Sequence, residues 1–442
     1  MIRRVARWAD ERVGGAAFIR SALNKVFPDH WSFMLGEIAL YSFIVLVGTG
    51  VFLTMFFDAS SGETVYRGSY DPLRGAEVSH AYNSVLELSF DVRAGLVMRQ
   101  IHHWAAIVFI AAILLHLFRI FFTGAFRKPR EINWIVGMTL FLLAIFNGFT
   151  GYSLPDDLLS GTGLRIAYSI AISIPVIGTW IAFLVFGGEF PAQEIIERLF
   201  VVHVLLVPAA IAGLIGVHLA LVWRQKHTDF RGPKRSETVV VGSRLWPTYT
   251  VKSLALFFAV FAVLAAMGGL LQINPVWLYG PFRAEQVPSP AQPDWWMGWV
   301  EGALRIFPAW EVRAFGFEIP NPFFPGVLLP GITFAMLYAW PFLEARFTRD
   351  REIHHLLELP RDRPLRSAFG AACIGFYAVL QIAGSNDLVA QWLGVSVLSV
   401  TTFLQVAVIV VPIVAGWLTF RFLSRLKASG VERWTEMPWH AR

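Results

Sequence analysis

Four histidines in apolar surroundings carry the first chemistry legible in this chain. His102 and His116 lie in RQIHHWAAIVFIAAILLHLFR, residues 99–119, fourteen apart. His203 and His218 lie in RLFVVHVLLVPAAIAGLIGVH, residues 198–218, fifteen apart. Neutral imidazole is a good metal ligand, and an ionisable group inside an apolar span is a functional candidate by default. At about 100° per residue, fourteen steps come within about 40° of whole turns, and fifteen within about 60°. Each pair therefore shares one face of its helix, its members about 21–22 Å apart along the axis. Set antiparallel and face to face, the two helices are expected to bring His102 to His203 and His116 to His218. A lone histidine in a span is as easily a hydrogen-bonded structural residue; two matched intervals are not. His103 points about 100° away from His102 and finds no partner at this spacing, so it reads as structural.

Glycines repeat the histidine interval. Gly36 and Gly50 stand fourteen apart in one apolar stretch, and Gly137 and Gly151 fourteen apart in another. A helical glycine costs up to about 1 kcal/mol relative to alanine and needs a reason. Ordinary small-residue helix packing is one. Close approach of a flat macrocycle at two heights is the other, and with the histidines it describes a four-helix bundle holding two haems. Two axial imidazoles leave no open position on iron, so such haems carry electrons and do not bind oxygen. Arg99 and Arg119 lie three residues outside the first histidine pair, placed to meet haem propionates or to snorkel toward the membrane surface.

These residues need membrane helices to position them, and the composition supplies them. Of 442 residues 56% are hydrophobic and only 15% charged, against about 25% in soluble domains. Eight stretches are long enough to span: 34–57, 100–122, 133–151, 200–223, 251–271, 326–345, 368–384 and 396–423. Residues 166–187 are apolar but interrupted by Ser169, Ser173, Pro175 and Gly178, and are expected to form a surface-lying helical hairpin. With the N-terminus inside, the inner segments hold 28 of the 37 Lys and Arg, as the positive-inside rule demands. Both termini then face the cytoplasm and His102 and His203 the outer surface. The fold expected is all-α and integral to the membrane. Residues 1–223 form the di-haem bundle, 224–250 a cytoplasmic linker, and 251–442 a second domain whose segment 272–325 holds no span. The net charge of +6 reflects this loop asymmetry, not nucleic-acid binding. Residues 1–31 carry no long apolar run, so no cleavable signal peptide is expected. The single cysteine, Cys373, excludes an intrachain disulfide, an iron–sulfur cluster on this chain's own thiolates and a CxxCH haem attachment.

The four histidines, the four glycines, GYSLP at 151–155 and PDWW at 293–296 together resemble cytochrome b of the quinol:cytochrome c reductases, over nearly the whole chain. KHTDFRGP at 226–233 and the single unsplit chain resemble the actinobacterial menaquinol type. Two departures bear on quinol binding. The usual Pro-Glu-Trp-Tyr reads Pro293, Asp294, Trp295, Trp296, and Asp156 and Asp157 replace the Trp-Gly that usually follows GYSLP.

The resemblance implies two non-covalent haems b and a quinol, menaquinol in type, as substrate. It implies a Rieske iron–sulfur subunit, a c-type cytochrome, a homodimer in the bacterial plasma membrane and a terminal oxidase as a further candidate partner. It favours the propionate role for Arg99 and Arg119. An outer quinol-oxidation pocket is expected at the 151–165 turn, including Gly163, with Pro293, Trp295 and Trp296. Asp294 and Glu301 are its candidate proton acceptors, since no other carboxylate lies between Gln286 and Phe307. Seven helical steps place them on nearly one face, about 10 Å apart along the axis. An inner quinone pocket is expected near His227, Lys252 and Ser253, with Lys226 equally readable as part of a solvated basic loop. Two other readings remain: a di-haem anchor for a dehydrogenase or hydrogenase, lacking the outer pocket, and a haem-free transporter relaying protons through histidines.

Overall fold

A backbone in hydrocarbon must satisfy its own hydrogen bonds, which restricts an open chain to helices. The computed structural model, which describes residues 2–191, 194–286, 292–314 and 316–429, has eight helices long and apolar enough to cross a membrane. They are Trp31–Thr54, Gly95–Phe122, Glu131–Tyr152, Ile195–Gln225, Leu245–Leu270, Phe324–Thr348, Pro364–Ala383 and Val397–Ala428, spans one to eight below. Their outward faces stay apolar, as at Phe258, Ile409 and Ile413, because lipid and not water meets them. The apolar stretch after span three forms the expected hairpin, Leu158–Ile172 and Gly178–Phe186, and neither arm is span-length.

Spans one to four share one core. Ala39, Phe43, Phe109, Ile110, Ala144, Val207 and Ile211 meet there, and Trp296 from the second half of the chain is buried among them. A second core joins the short helix Trp295–Ile306 to spans seven and eight through Ala303, Ile306, Leu380, Ala383 and Leu404. One element thus joins two cores, its first turn packed against spans one to four and its last against spans seven and eight.

One expectation is corrected. The two histidine helices, spans two and four, run parallel. Residue numbers rise in the same direction from His102 to His116 and from His203 to His218, so the observed pairs can form only between parallel helices. The intervening span three supplies the return crossing.

The polar stretch after span four is folded, not a loose tether. Asp229 is buried; its backbone pairs with His355 and Leu357, and its carboxylate accepts from Phe230 N, Arg235 and Val241 N. Further on, Gly242–Arg244 pairs antiparallel with Val26–Pro28. A Cβ on Gly242 would sit 1.8 Å from the Phe27 carbonyl oxygen, so only glycine permits this pairing. The ladder fixes the approach to span one beside the start of span five.

Candidate functional site

The bundle brings the four histidines together as two pairs. The ring centroids of His102 and His203 are 6.2 Å apart, and those of His116 and His218 are 6.4 Å apart. Both pairs are inclined at 73°. The unequal sequence intervals meet at equal heights because Val202–Leu206 is a π-helical turn. Such a turn takes up one extra residue, so fifteen residues in span four match fourteen in span two.

Hydrogen bonds determine which nitrogen the His102 and His203 rings present. His203 Nδ1 lies 3.0 Å from the Asn147 carbonyl oxygen, which can only accept, so Nδ1 carries the proton. The Thr49 hydroxyl donates to the Val45 carbonyl at 2.7 Å and therefore accepts from His102 Nδ1 at 2.9 Å. Both rings are left with the Nε2 lone pair free for a ligand. At the other pair, His116 Nδ1 is buried without a hydrogen-bond partner among the described residues.

Each histidine has its own glycine. An added Cβ would lie 3.3 Å from His102 at Gly50 and 3.4 Å from His116 at Gly36. It would lie 2.3 Å from His203 at Gly151 and 3.7 Å from His218 at Gly137. Span one backs the rings of span two, and span three backs those of span four. The donor set fits a haem at each pair. Two metal–imidazole bonds of about 2 Å each, with the two half-rings behind them, fill about 6 Å between centroids. Arg99 and Arg119 add the charge such a group would meet. Arg99 is buried, donates to the Asn274 carbonyl at 2.9 Å and leaves Nε unpartnered. Arg119 lies over the Phe33 ring at 4.1 Å with Nε and one terminal nitrogen buried and unpartnered. Neither has a carboxylate partner within ion-pair distance among the described residues.

A cavity opens beside the His102 pair. Tyr152, Thr162, Gly163, Pro293, Asp294, Trp296 and Glu301 are among its walls. Both carboxylates expected there reach it. Asp294 precedes the short helix without a side-chain capping bond; instead its oxygens meet His103 Nε2 at 3.0 and 3.1 Å. His103 therefore has a partner, 191 residues away, that helical spacing could not show. Glu301 is ion-paired with Arg305 at 2.8 Å, and Arg305 also donates to Asn386 and Asp387. Trp295 faces elsewhere: with Trp299 it borders a larger apolar cavity between spans two, three, six and seven. Asp157, a departure from the usual pattern, is buried and caps the hairpin helix by accepting from Leu159 N and Ser160 N at 2.8 and 2.9 Å. Burial pushes the Asp156 and Asp157 carboxyls up to about 6.

At the His116 end the expected polar residues separate. Lys252 pairs with Asp29 at 2.8 Å near the surface. Ser253 turns inward and donates to Glu37 at 2.6 Å. His227 packs against Phe27, ring centroids 4.5 Å apart and tilted by 49°; burial first, then Lys25, Arg130 and Arg119, lower it to about 4, so the ring is neutral. Lys226 is exposed. Glu37 is a site residue that sequence reasoning missed; its only signal there is a carboxylate next to Gly36, one of the four glycines at the histidine interval.

The family described as "Cytochrome b(N-terminal)/b6/petB" matches residues 107–281. The cytochrome bc1 complex cytochrome b subunit of Mycobacterium leprae is 52% identical over 430 residues, 97% of this chain and 78% of that protein. The same subunit of Streptomyces coelicolor is 49% identical over 412 residues, 93% of this chain and 76% of that protein. A chain of a solved structure, "Hyperthermophilic respiratory Complex III", superposes with a TM-score of 0.68 at 20% identity, covering 96% of this chain and 99% of that one. At that identity the likeness shows the fold alone.

Proposed function

The chain belongs to the cytochrome b subunits of the bc1 complex, the quinol–cytochrome c reductases, and from that membership we propose how its residues divide the work. His102 and His203 hold one haem b, and His116 and His218 a second. Gly50, Gly151, Gly36 and Gly137 leave room for them, and Arg99 and Arg119 meet their propionates. When bound, the haems supply one-electron transfer between the two ends of the bundle.

Quinol, menaquinol in this reading, binds in the cavity walled by Gly163, Pro293 and Trp296, and Trp295, turned to the neighbouring apolar cavity, takes no part in it. Its oxidation releases two protons, and Asp294 and Glu301 stand at the wall to accept them. One electron leaves to a Rieske iron–sulfur partner and on to a c-type cytochrome. The other crosses the membrane to a quinone at the His116 end, near His227, Lys252 and Ser253. That end faces the cytoplasm with both chain termini, in a bacterial plasma membrane and within a dimeric complex. Residues 1–223 are the haem-holding domain, 224–250 the cytoplasmic joint, and 251–442 the domain that closes the quinol cavity.

The observation that carries this reading is the one-to-one facing of four glycines and four paired histidines. Each quinol oxidised outside frees two protons but sends only one electron to cytochrome c. Purified complex in vesicles should therefore release two protons outside per electron reaching cytochrome c; one proton per electron would contradict the divided route.

A further inference from the structure

Glu37 is a carboxylate inside span one that has no cation within ion-pair distance among the described residues. Its partners are three hydroxyls. Ser253 donates to Oε2 at 2.6 Å, Tyr249 donates to Oε1, and the Tyr41 oxygen lies 3.3 Å from Oε2. The Tyr41 and Ser253 hydroxyls also share a hydrogen bond of 2.5 Å. A carboxylate in a span is costly and is placed for function by default. Hydroxyls suit a group that must change state, because each can donate to the anion or accept from the neutral acid. A lysine or arginine partner could do only the first.

The surroundings show what such a group could serve. Gly36, the preceding residue, faces the His116 ring. Tyr249 stacks on Phe27 at 4.4 Å, and Phe27 packs on the neutral His227 ring. Electrons arriving at the His116 end thus meet an acid–hydroxyl array with an aromatic wall. Lys252, which precedes Ser253 in the chain, forms a half-exposed ion pair with Asp29, and the Ser243 hydroxyl bonds to both.

We propose that Glu37, held by Tyr41, Tyr249 and Ser253, gives protons to the quinone reduced at the His116 end. The inference rests on the inner quinone site proposed above. The quinone takes two electrons, one at a time, and two protons, one on each oxygen. Glu37 gives its carboxyl proton to a quinone oxygen and takes another from the cytoplasmic water before the second transfer.

The test uses the purified complex with its haems chemically reduced, mixed rapidly with a menaquinone analogue while b-haem oxidation is followed. Glu37→Gln should slow that oxidation on the order of 10²-fold with both haems retained. Glu37→Asp should recover part of the rate, and Ser253→Ala should slow it by a smaller factor. Wild-type rates in both Glu37→Gln and Ser253→Ala overturn the proposal while leaving the site in place. If Glu37→Gln loses haem, Ser253→Ala decides alone. A wild-type complex whose haems the quinone does not oxidise overturns the inner site itself and this inference with it.

Discussion

Gly151 shows most sharply how much one residue is asked to do. A Cβ there would stand 2.3 Å from the His203 ring, whereas one at Gly137 would stand 3.7 Å from His218, an ordinary contact. Gly151→Ala should therefore disturb the His102/His203 haem, through overpacking of about 1–3 kcal/mol, while Gly137→Ala leaves both haems near their wild-type potentials. Redox titration of the two variants checks this. The acids invite a similar contrast. Glu301 and Asp294 border one cavity, but Asn at 294 still accepts from His103, whereas Gln at 301 leaves Arg305 with one fewer anion. Glu301→Gln should slow quinol oxidation, on the order of 10²-fold, and more than Asp294→Asn, with both haems retained. Steady-state quinol:cytochrome c activity measures it, and the reverse order would make Asp294 the main acceptor. The histidine and glycine intervals were legible because repeats along a helix project onto one face; the two acids were singled out through the resemblance at PDWW and as the only carboxylates between Gln286 and Phe307. The His103–Asp294 bond and the Glu37 array were not, because they join residues about 190 and 210 apart that share no period.

At the scale of the element, the extra residue in span four is the telling feature. A regular helix would carry His203 about 100° past its register with His218 in a fifteen-residue interval relative to a fourteen-residue one. The π-helical turn Val202–Leu206 absorbs that step. Deleting the exposed Leu205 should return the turn to regular helix and the interval to fourteen, the value span two already uses. Both haems should survive the deletion. Loss of the His203 haem in that variant would show that the turn does more than absorb a residue. Apolar length alone located all eight spans in the sequence. It could not supply the relative direction of the histidine helices, because facing stripes look alike whether helices run parallel or antiparallel. The folded state of the linker escaped it too, since Asp229 and its partners read as ordinary polar loop.

In the whole molecule, the two halves are clasped at the His116 end by charge. Glu358 is buried and ion-paired with Arg127 from the loop between spans two and three, with Arg363, and with Arg366 of span seven. Arg366 also holds Glu344 of span six at 2.8 Å. Burial alone would raise the Glu358 carboxyl, but the arginines overcome it and hold the group below the ordinary glutamate range. A carboxyl lowered in the fold stabilises fully above its unfolded value and loses that contribution as pH falls through the folded one. Heat-induced haem release should therefore be steady near neutrality and accelerate only below the ordinary glutamate range. Glu358→Gln, which strands buried arginines, should cost about 3–5 kcal/mol already at neutral pH. Thermal unfolding of the two proteins across pH checks both statements.

Two haems held by two histidine pairs are the centre of the proposed function. The most direct measurement is a reduced-minus-oxidised spectrum with a haem count on the wild-type complex and on single histidine variants. The wild-type chain should carry two haems b. His102→Ala and His203→Ala should each lack the same one, and His116→Ala and His218→Ala the other. His103→Ala should keep both. A haem-free wild-type chain, or two haems surviving in His116→Ala, would contradict the account.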